Sequence, residues 1–255
     1  MDTDVGGIRP TVASDLKVSD LVSALAAGWR DFAARPVFGL FFASFYVAIG
    51  VTLYYLFMVS GQARWLIASI AGFPLLAPFA AVGLYEVSRR RELGMAMDWG
   101  AILGAMRGHG DQQLLLMGGF IFVGFSFWVI IAHMIFAIFV ASAGLGEGME
   151  FLRSGTGLTM LAVGGAVGAI IAYLFYAITV MSLPMLVDRD VDFITAIITS
   201  VAALRANTGV LLLWALFIAL VLFVAILPLF LGLLVALPVL GHATWHLYRR
   251  TVSAP

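Results

Sequence analysis

The sequence is 255 residues long and 63% apolar, with 14 basic residues balanced by 14 acidic ones and no cysteine. A water-soluble domain of this length cannot hide that much apolar surface, because even large single domains leave roughly a quarter of their unfolded chain's surface exposed; lipid is the solvent that fits. Balanced charge leaves no footprint for a nucleic-acid partner, and the lack of cysteine excludes disulfides, thiolate metal sites and cysteine nucleophiles.

Asp2, Asp4, Arg9, Pro10, Asp15 and Lys17 precede any apolar run, so 1–18 reads as a cytoplasmic tail and not as a secretory signal peptide. Leu21, Val22, Leu25, Trp29 and Phe32 then recur at helical spacing and predict a short amphipathic helix. A hydrocarbon core of roughly 30 Å takes about 20 apolar residues as helix. Val37–Val59 and Trp65–Tyr85 meet that requirement on either side of a short polar break. Trp99, Ile102, Leu103 and Met106 give a shorter amphipathic segment, and Gln113–Val140 and Leu158–Leu183 are the third and fourth spans. Phe193, Ile194, Ile197, Val201 and Leu204 repeat the mutual spacings of the first amphipathic segment. Val210–Tyr248 is too long for one crossing and reads as two helices hinged near Pro228 and Gly232, in preference to one helix and a re-entrant segment.

Cytoplasmic loops carry the excess of arginine and lysine. In a six-span arrangement Arg9, Lys17, Arg30, Arg35, Arg89, Arg90, Arg91, Arg107, Arg189, Arg205, Arg249 and Arg250 all fall on one side. Arg64 and Arg153 fall on the other, beside Glu147 and Glu150. Both termini are therefore expected in the cytoplasm, with the chain in a bacterial inner membrane.

The amphipathic segments mark an internal repeat. An acidic residue opens each one (Asp20, Asp98, Asp192) as a plausible cap, and an arginine closes each (Arg30, Arg107, Arg205), which suits the helix dipole. Leading directly into spanning helices, they are expected to lie in the headgroup region. The returning helices match as well: Pro78 to Arg90 and Pro238 to Arg250 are equal in length, and Tyr85-Glu86 stands where Trp245-His246 does. The expected fold is all-α, a polytopic membrane helix bundle of six transmembrane helices in three parallel repeats of interfacial helix plus helical hairpin. One domain of 19–250 holds the repeats, at about 19–92, 97–190 and 191–250, and 251–255 is a short cytoplasmic tail.

The runs Gly83-Leu84-Tyr85-Glu86-Val87-Ser88-Arg89-Arg90, Leu183-Pro184-Met185-Leu186-Val187-Asp188-Arg189-Asp190-Val191-Asp192 and Leu237-Pro238-Val239-Leu240-Gly241-His242-Ala243-Thr244-Trp245-His246 resemble signatures of a bacterial family of predicted integral membrane proteins, domain-of-unknown-function family 2189. Gly28-Trp29-Arg30-Asp31-Phe32 resembles a further part of its pattern. The resemblance runs from about Asp20 to Arg250 and implies topology, not chemistry.

Ionisable residues inside a membrane are costly and default to functional hypotheses. His133 lies toward the outer end of the third span. His242 and His246 are one turn apart near the inner end of the last, a spacing that makes them weak candidates for a metal or haem; the expectation is no metal and no cofactor. Glu86, Arg89, Asp188, Arg189, His242 and His246 gather at the cytoplasmic ends of the returning helices, as an ion-pair network that closes the bundle or as a gate or docking site. If the repeats surround an axis normal to the membrane, Glu86, Asp188 and His242 or His246 should converge and point inward. Gly157, Gly164, Gly165, Gly168, Ala169 and Ala172 give the fourth span a small-residue face for close helix contact, within the bundle in preference to between protomers. Tyr54, Tyr55, Trp65 and Trp128 read as anchors or packing residues. No phosphate loop, zinc-protease helix or nucleophile elbow occurs, and no carboxylate pair sits at membrane depth.

These features point to a non-catalytic accessory or scaffold protein whose partners are the lipid bilayer and another membrane protein complex. A transporter or channel for a small apolar solute or lipid is the alternative, and an interfacial lipid-modifying enzyme using Asp188, Asp190 or Glu86 is third.

Overall fold

The computed structural model describes residues 10–60, 80–105, 112–143 and 153–253. Most of the predicted second span (65–79), Asp2, Asp4, Arg9, Arg64, Pro78, Met106, Arg107, Glu147 and Glu150 lie outside the described residues. In chain order the helices are α1 (Val18–Ala34), α2 (Pro36–Ser60), α3 (80–92), α4 (Trp99–Gly104), α5 (Gln113–Ala143), α6 (Gly155–Thr179), α7 (Ser182–Asp188), α8 (Phe193–Ala206), α9 (Thr208–Ile226) and α10 (Leu233–Thr251). Among the described residues four segments are long and apolar enough to cross a membrane: Pro36–Leu56, Gln113–Phe139, Gly155–Asp188 and Thr208–Ile226.

Two breaks in the helices have local causes. Pro184 has no N–H to offer the Val180 carbonyl, and α6 steps into α7 at Val180–Met181. Ser200 on α8 repairs that step: its hydroxyl accepts from the Met181 amide at 3.1 Å and donates to the Ala177 carbonyl at 2.8 Å. The long apolar run after Val210 divides where Leu229 and Phe230 take left-handed backbone angles, φ 51° and 66°, between α9 and α10. The hinge thus falls between Pro228 and Gly232, on residues that rarely adopt that conformation. α10 is less apolar than a full span because its last turns carry His242, His246, Arg249 and Arg250.

The short helices are capped as polar N-termini require, with one difference from expectation. Asp98 and Asp192 are N-caps, accepting from the Ala101 and Thr195 amides. Asp20 instead sits inside the first turn of α1 and reaches back to the Lys17 amide at 2.8 Å. Each short helix also shows two apolar faces. On α1 Leu21, Ala24, Gly28 and Phe32 are buried while Val18, Val22 and Trp29 are exposed. On α4 Ile102 is buried, and Trp99 and Leu103 are exposed. On α8 Ala196, Ala203 and Leu204 are buried, and Ile194 and Ile198 are exposed.

α1 runs antiparallel to α10, and the strands flanking the pair, Thr11–Val12 and Val252–Ser253, hydrogen-bond to each other. The Asn207 side chain holds the intervening segment, donating to the Ala13 carbonyl (2.6 Å) and accepting from the Leu16 amide (3.1 Å). Close approach of the two helices depends on Gly28: a Cβ there would lie 2.6 Å from the Ala243 nitrogen and 2.7 Å from the Val239 carbonyl oxygen. On the small-residue face of α6, Gly168 lies against α5, the Trp128 indole 3.1 Å from where its Cβ would be, while Gly165, Ala169 and Ala172 are exposed.

Because backbone cannot yield as a side chain can, Gly28→Ala should cost about 1–3 kcal/mol of stability. Gly118→Ala on α5, where a Cβ meets nothing within 4 Å, should melt within about 1 kcal/mol of the parent. Thermal denaturation of the two variants in detergent distinguishes them.

Candidate functional site

The buried face of α1 carries one charge among its apolar residues, Asp31, at 6% exposure. Burial by itself would raise this carboxyl; hydrogen bonds from His246 and Ser88 and the nearby imidazoles reverse that and hold it below the usual aspartate value. Oδ2 accepts from the Ser88 hydroxyl at 2.6 Å and stands 2.8 Å from Nε2 of His246. Oδ1 lies 3.0 Å from the Arg91 guanidinium, which also donates to the Arg30 carbonyl at 2.7 Å. Helices α1, α3 and α10 therefore meet on one carboxylate.

The hydrogen-bond inventory assigns the next proton. An ionised carboxylate only accepts, so Ser88 spends its single hydrogen on Asp31. Nδ1 of His242, 2.8 Å from the same hydroxyl, must then donate to it. Nε2 of His242 is buried in the packed interior. Serine, imidazole and carboxylate are all present, yet in the wrong order for a nucleophile. Activation needs the imidazole to take the serine proton with the carboxylate behind the imidazole; here the serine proton already faces the carboxylate.

Two further networks flank this one. Glu86, 3% exposed, is gripped within α3 by Arg89 and Arg90, each 2.8 Å away. Asp188 accepts from the Tyr248 hydroxyl (2.8 Å) and from Arg249 (3.0 Å), and lies 3.4 Å from Arg189. Arg249 also reaches Glu92 at 3.0 Å, and Glu92 accepts from the Trp245 indole at 3.1 Å. Arg249 thereby bridges α3, α7 and α10. Arg189 turns the other way and donates to the Val252 and Ser253 carbonyls.

Glu86, Arg89, Asp188, Arg189, His242 and His246 thus sit at one end of the bundle, divided among three networks. Tyr85 and Trp245, which occupy matching places in the sequence, approach each other with ring centroids 6.5 Å apart. His133 bonds its own helix, Nδ1 lying 2.8 Å from the Val129 carbonyl. Among the described residues no three His, Asp or Glu side chains gather as a metal site would require. Sequence reasoning missed Asp31, Ser88, Arg91, Glu92, Tyr248 and Arg249. The signal for Asp31 was available: with Leu21, Ala24 and Gly28 it occupies positions i, i+3, i+7 and i+10, a carboxylate on the packed stripe.

A separate cavity of about 550 Å³ lies between α3, α5 and α6. Ala81, Ile121, Phe125, Trp128, Phe175 and Leu183 line it, so its wall is almost wholly apolar.

Removing the Asp31 charge strands Arg91 next to a partly buried site, so Asp31→Asn should cost up to about 3–5 kcal/mol. Asp15→Asn, whose pair with Arg250 is exposed at the surface, should melt close to the parent. The folded-state value of Asp31 lies below its unfolded value of 3.8. Its contribution is therefore complete above that pH and is lost as the pH falls through the folded value. Melting curves should show the gap between parent and Asp31→Asn narrowing only in that acid range.

No curated protein and no solved structure matches the chain. The family match spans 66–188 and includes the Gly83–Arg90 run but not the segments around Gly28 or His242, so it is narrower than the sequence resemblance. Over residues 66–188 the chain matches the family described as predicted integral membrane protein (DUF2189), the family that its signature runs resemble.

Proposed function

We propose that the protein is a non-catalytic accessory or scaffold component of a bacterial inner membrane, crossing the bilayer six times with both termini in the cytoplasm. The observation that carries the reading is the use of Asp31, Asp188 and Glu92 to join helices. Asp31 ties α1 to α3 and α10, and Asp188 and Glu92 tie α7 and α3 to α10 through Arg249. Ser88, whose hydroxyl lies beside a histidine and an aspartate, is held in a non-nucleophilic arrangement.

Three features support six crossings. Residues 86–92 share the end of the bundle with Asp31, just ahead of the apolar stretch Pro36–Leu56, which suits a return of the chain before Glu86. His242–Arg250 share the same end after the departure along α9, which suits a return along α10. The pairing of Thr11–Val12 with Val252–Ser253 puts the two ends of the described chain side by side, which needs an even number of crossings. The exposed apolar stripes of α1, α4 and α8 suit interfacial helices, half packed on the bundle and half in lipid. The apolar cavity between α3, α5 and α6 favours a second reading, passage or storage of an apolar solute or lipid.

Reporter fusions after Arg91 and Arg205 should give cytoplasmic signals and one at Glu147 an external signal; an external signal at Arg205 removes the six-span arrangement. Purification from native membranes tests the function. A second membrane protein in fixed ratio is expected, together with rescue of a deletion phenotype by Ser88→Ala at parental abundance. Lipid alone as companion would favour the second reading, and loss of rescue at parental abundance would contradict the non-catalytic one.

A further inference from the structure

We propose that Arg35, Arg90 and Arg91 form a binding site for a phosphate group, the chemistry that an anionic phospholipid headgroup presents at the cytoplasmic face. The three arginines line a cavity of about 450 Å³ beside Gly94, Met95 and Met97. Gly94, in a left-handed turn at φ 65°, has nothing within 4 Å of where a Cβ would stand, so the loop leaves the cavity open.

The site has donors to spare. Arg91 uses Nη1 for Asp31 and the Arg30 carbonyl, and Arg90 uses Nε and Nη1 for Glu86 and the Ala96 carbonyl. Nε and Nη2 of Arg91, Nη2 of Arg90 and the whole Arg35 fork carry no hydrogen bond among the described residues. Guanidinium N–H forks match phosphate oxygens in pairs. The local charge is also unbalanced: Glu86 is shared by Arg89 and Arg90, Asp31 pairs with Arg91, and Arg35 makes no ion pair among the described residues.

The depth is that of the headgroup layer. Arg35 directly precedes Pro36, the first residue of the apolar stretch Pro36–Leu56. Trp99 packs tilted and edge-on against Phe38 and Phe41, with ring centroids 4.4 and 5.0 Å away, and aromatic residues are enriched at membrane interfaces. Leu93 and Met95 are exposed on the same loop. Basic pockets at helix ends on the cytoplasmic side are a recurrent way of holding acidic lipids. The site needs the membrane entry at Pro36 but not the scaffold reading.

Native mass spectrometry of the full chain, equilibrated with equal amounts of phosphatidylglycerol and phosphatidylcholine, tests it. The parent should retain phosphatidylglycerol preferentially. Arg35→Gln, which breaks no side-chain hydrogen bond or ion pair among the described residues, should lower that retention by about fivefold, the share of one arginine near an anionic surface. Arg205→Gln, an exposed arginine on α8, is the control for charge alone and should leave it unchanged. A parallel titration with inorganic phosphate separates the sources. If phosphate binds with the same Arg35 dependence and lipid shows no preference, the site stands as one for soluble phosphate. Equal retention of the two lipids with no phosphate binding, or an equal loss in Arg35→Gln and Arg205→Gln, would overturn the proposal.

Discussion

Asp31 is a carboxylate taken out of water on the packed face of a short helix, and it is tolerable there only because donors from two other helices converge on it. Removing a charge from water costs several kcal/mol, repaid only where geometry and hydrogen bonding are good. Ser88 and Arg91 supply donors from α3, and His246 approaches from α10. The positions of all three helices are thereby fixed relative to one another. Gly28, one turn earlier on the same face, lets α1 lie close enough to α10 for His246 to reach the carboxylate. The backbone contact and the polar contact are two parts of one helix pairing.

This pairing sets the character of the rest of that end. Once α10 is held against α1, its last turns present Trp245, Tyr248 and Arg249 toward α3 and α7, where Glu92 and Asp188 receive them. The aromatic residues there are buried apolar bodies with one polar atom each, satisfied by a carboxylate. The apolar bulk of the bundle has no such directionality, since lipid is as apolar as the side chains it would displace. Specific register comes from the polar end and from small residues such as Gly168 under Trp128.

Much of this was legible in the sequence because periodicity and charge are coarse signals that survive without coordinates. The amphipathic segments, the long apolar runs and the hinge between Pro228 and Gly232 were all readable that way. Equal spacing in two returning helices put Glu86 and His246 in matching places, and the ends of the helices placed Asp188 and His242 near them. Partner choice was not legible. Arg89 was read toward the general cluster yet is consumed by Glu86 within its own helix, while Asp188 is served by Arg249 from across the bundle. Asp31 lies at helical spacing on the stripe of Leu21, Ala24 and Gly28, but spacing alone does not give the partners on α3 and α10 that make a carboxylate tolerable there.

The central claim is that the Asp31 contacts act as one joint between α1, α3 and α10. A double-mutant cycle on folding stability, with Asp31→Ala, Arg91→Ala and the pair, measures this most directly. The account predicts a coupling of about 1–3 kcal/mol, the range for residues in one ion-pair network. Additivity to within about 0.5 kcal/mol would mean that the two groups stabilise the protein independently, and would contradict it.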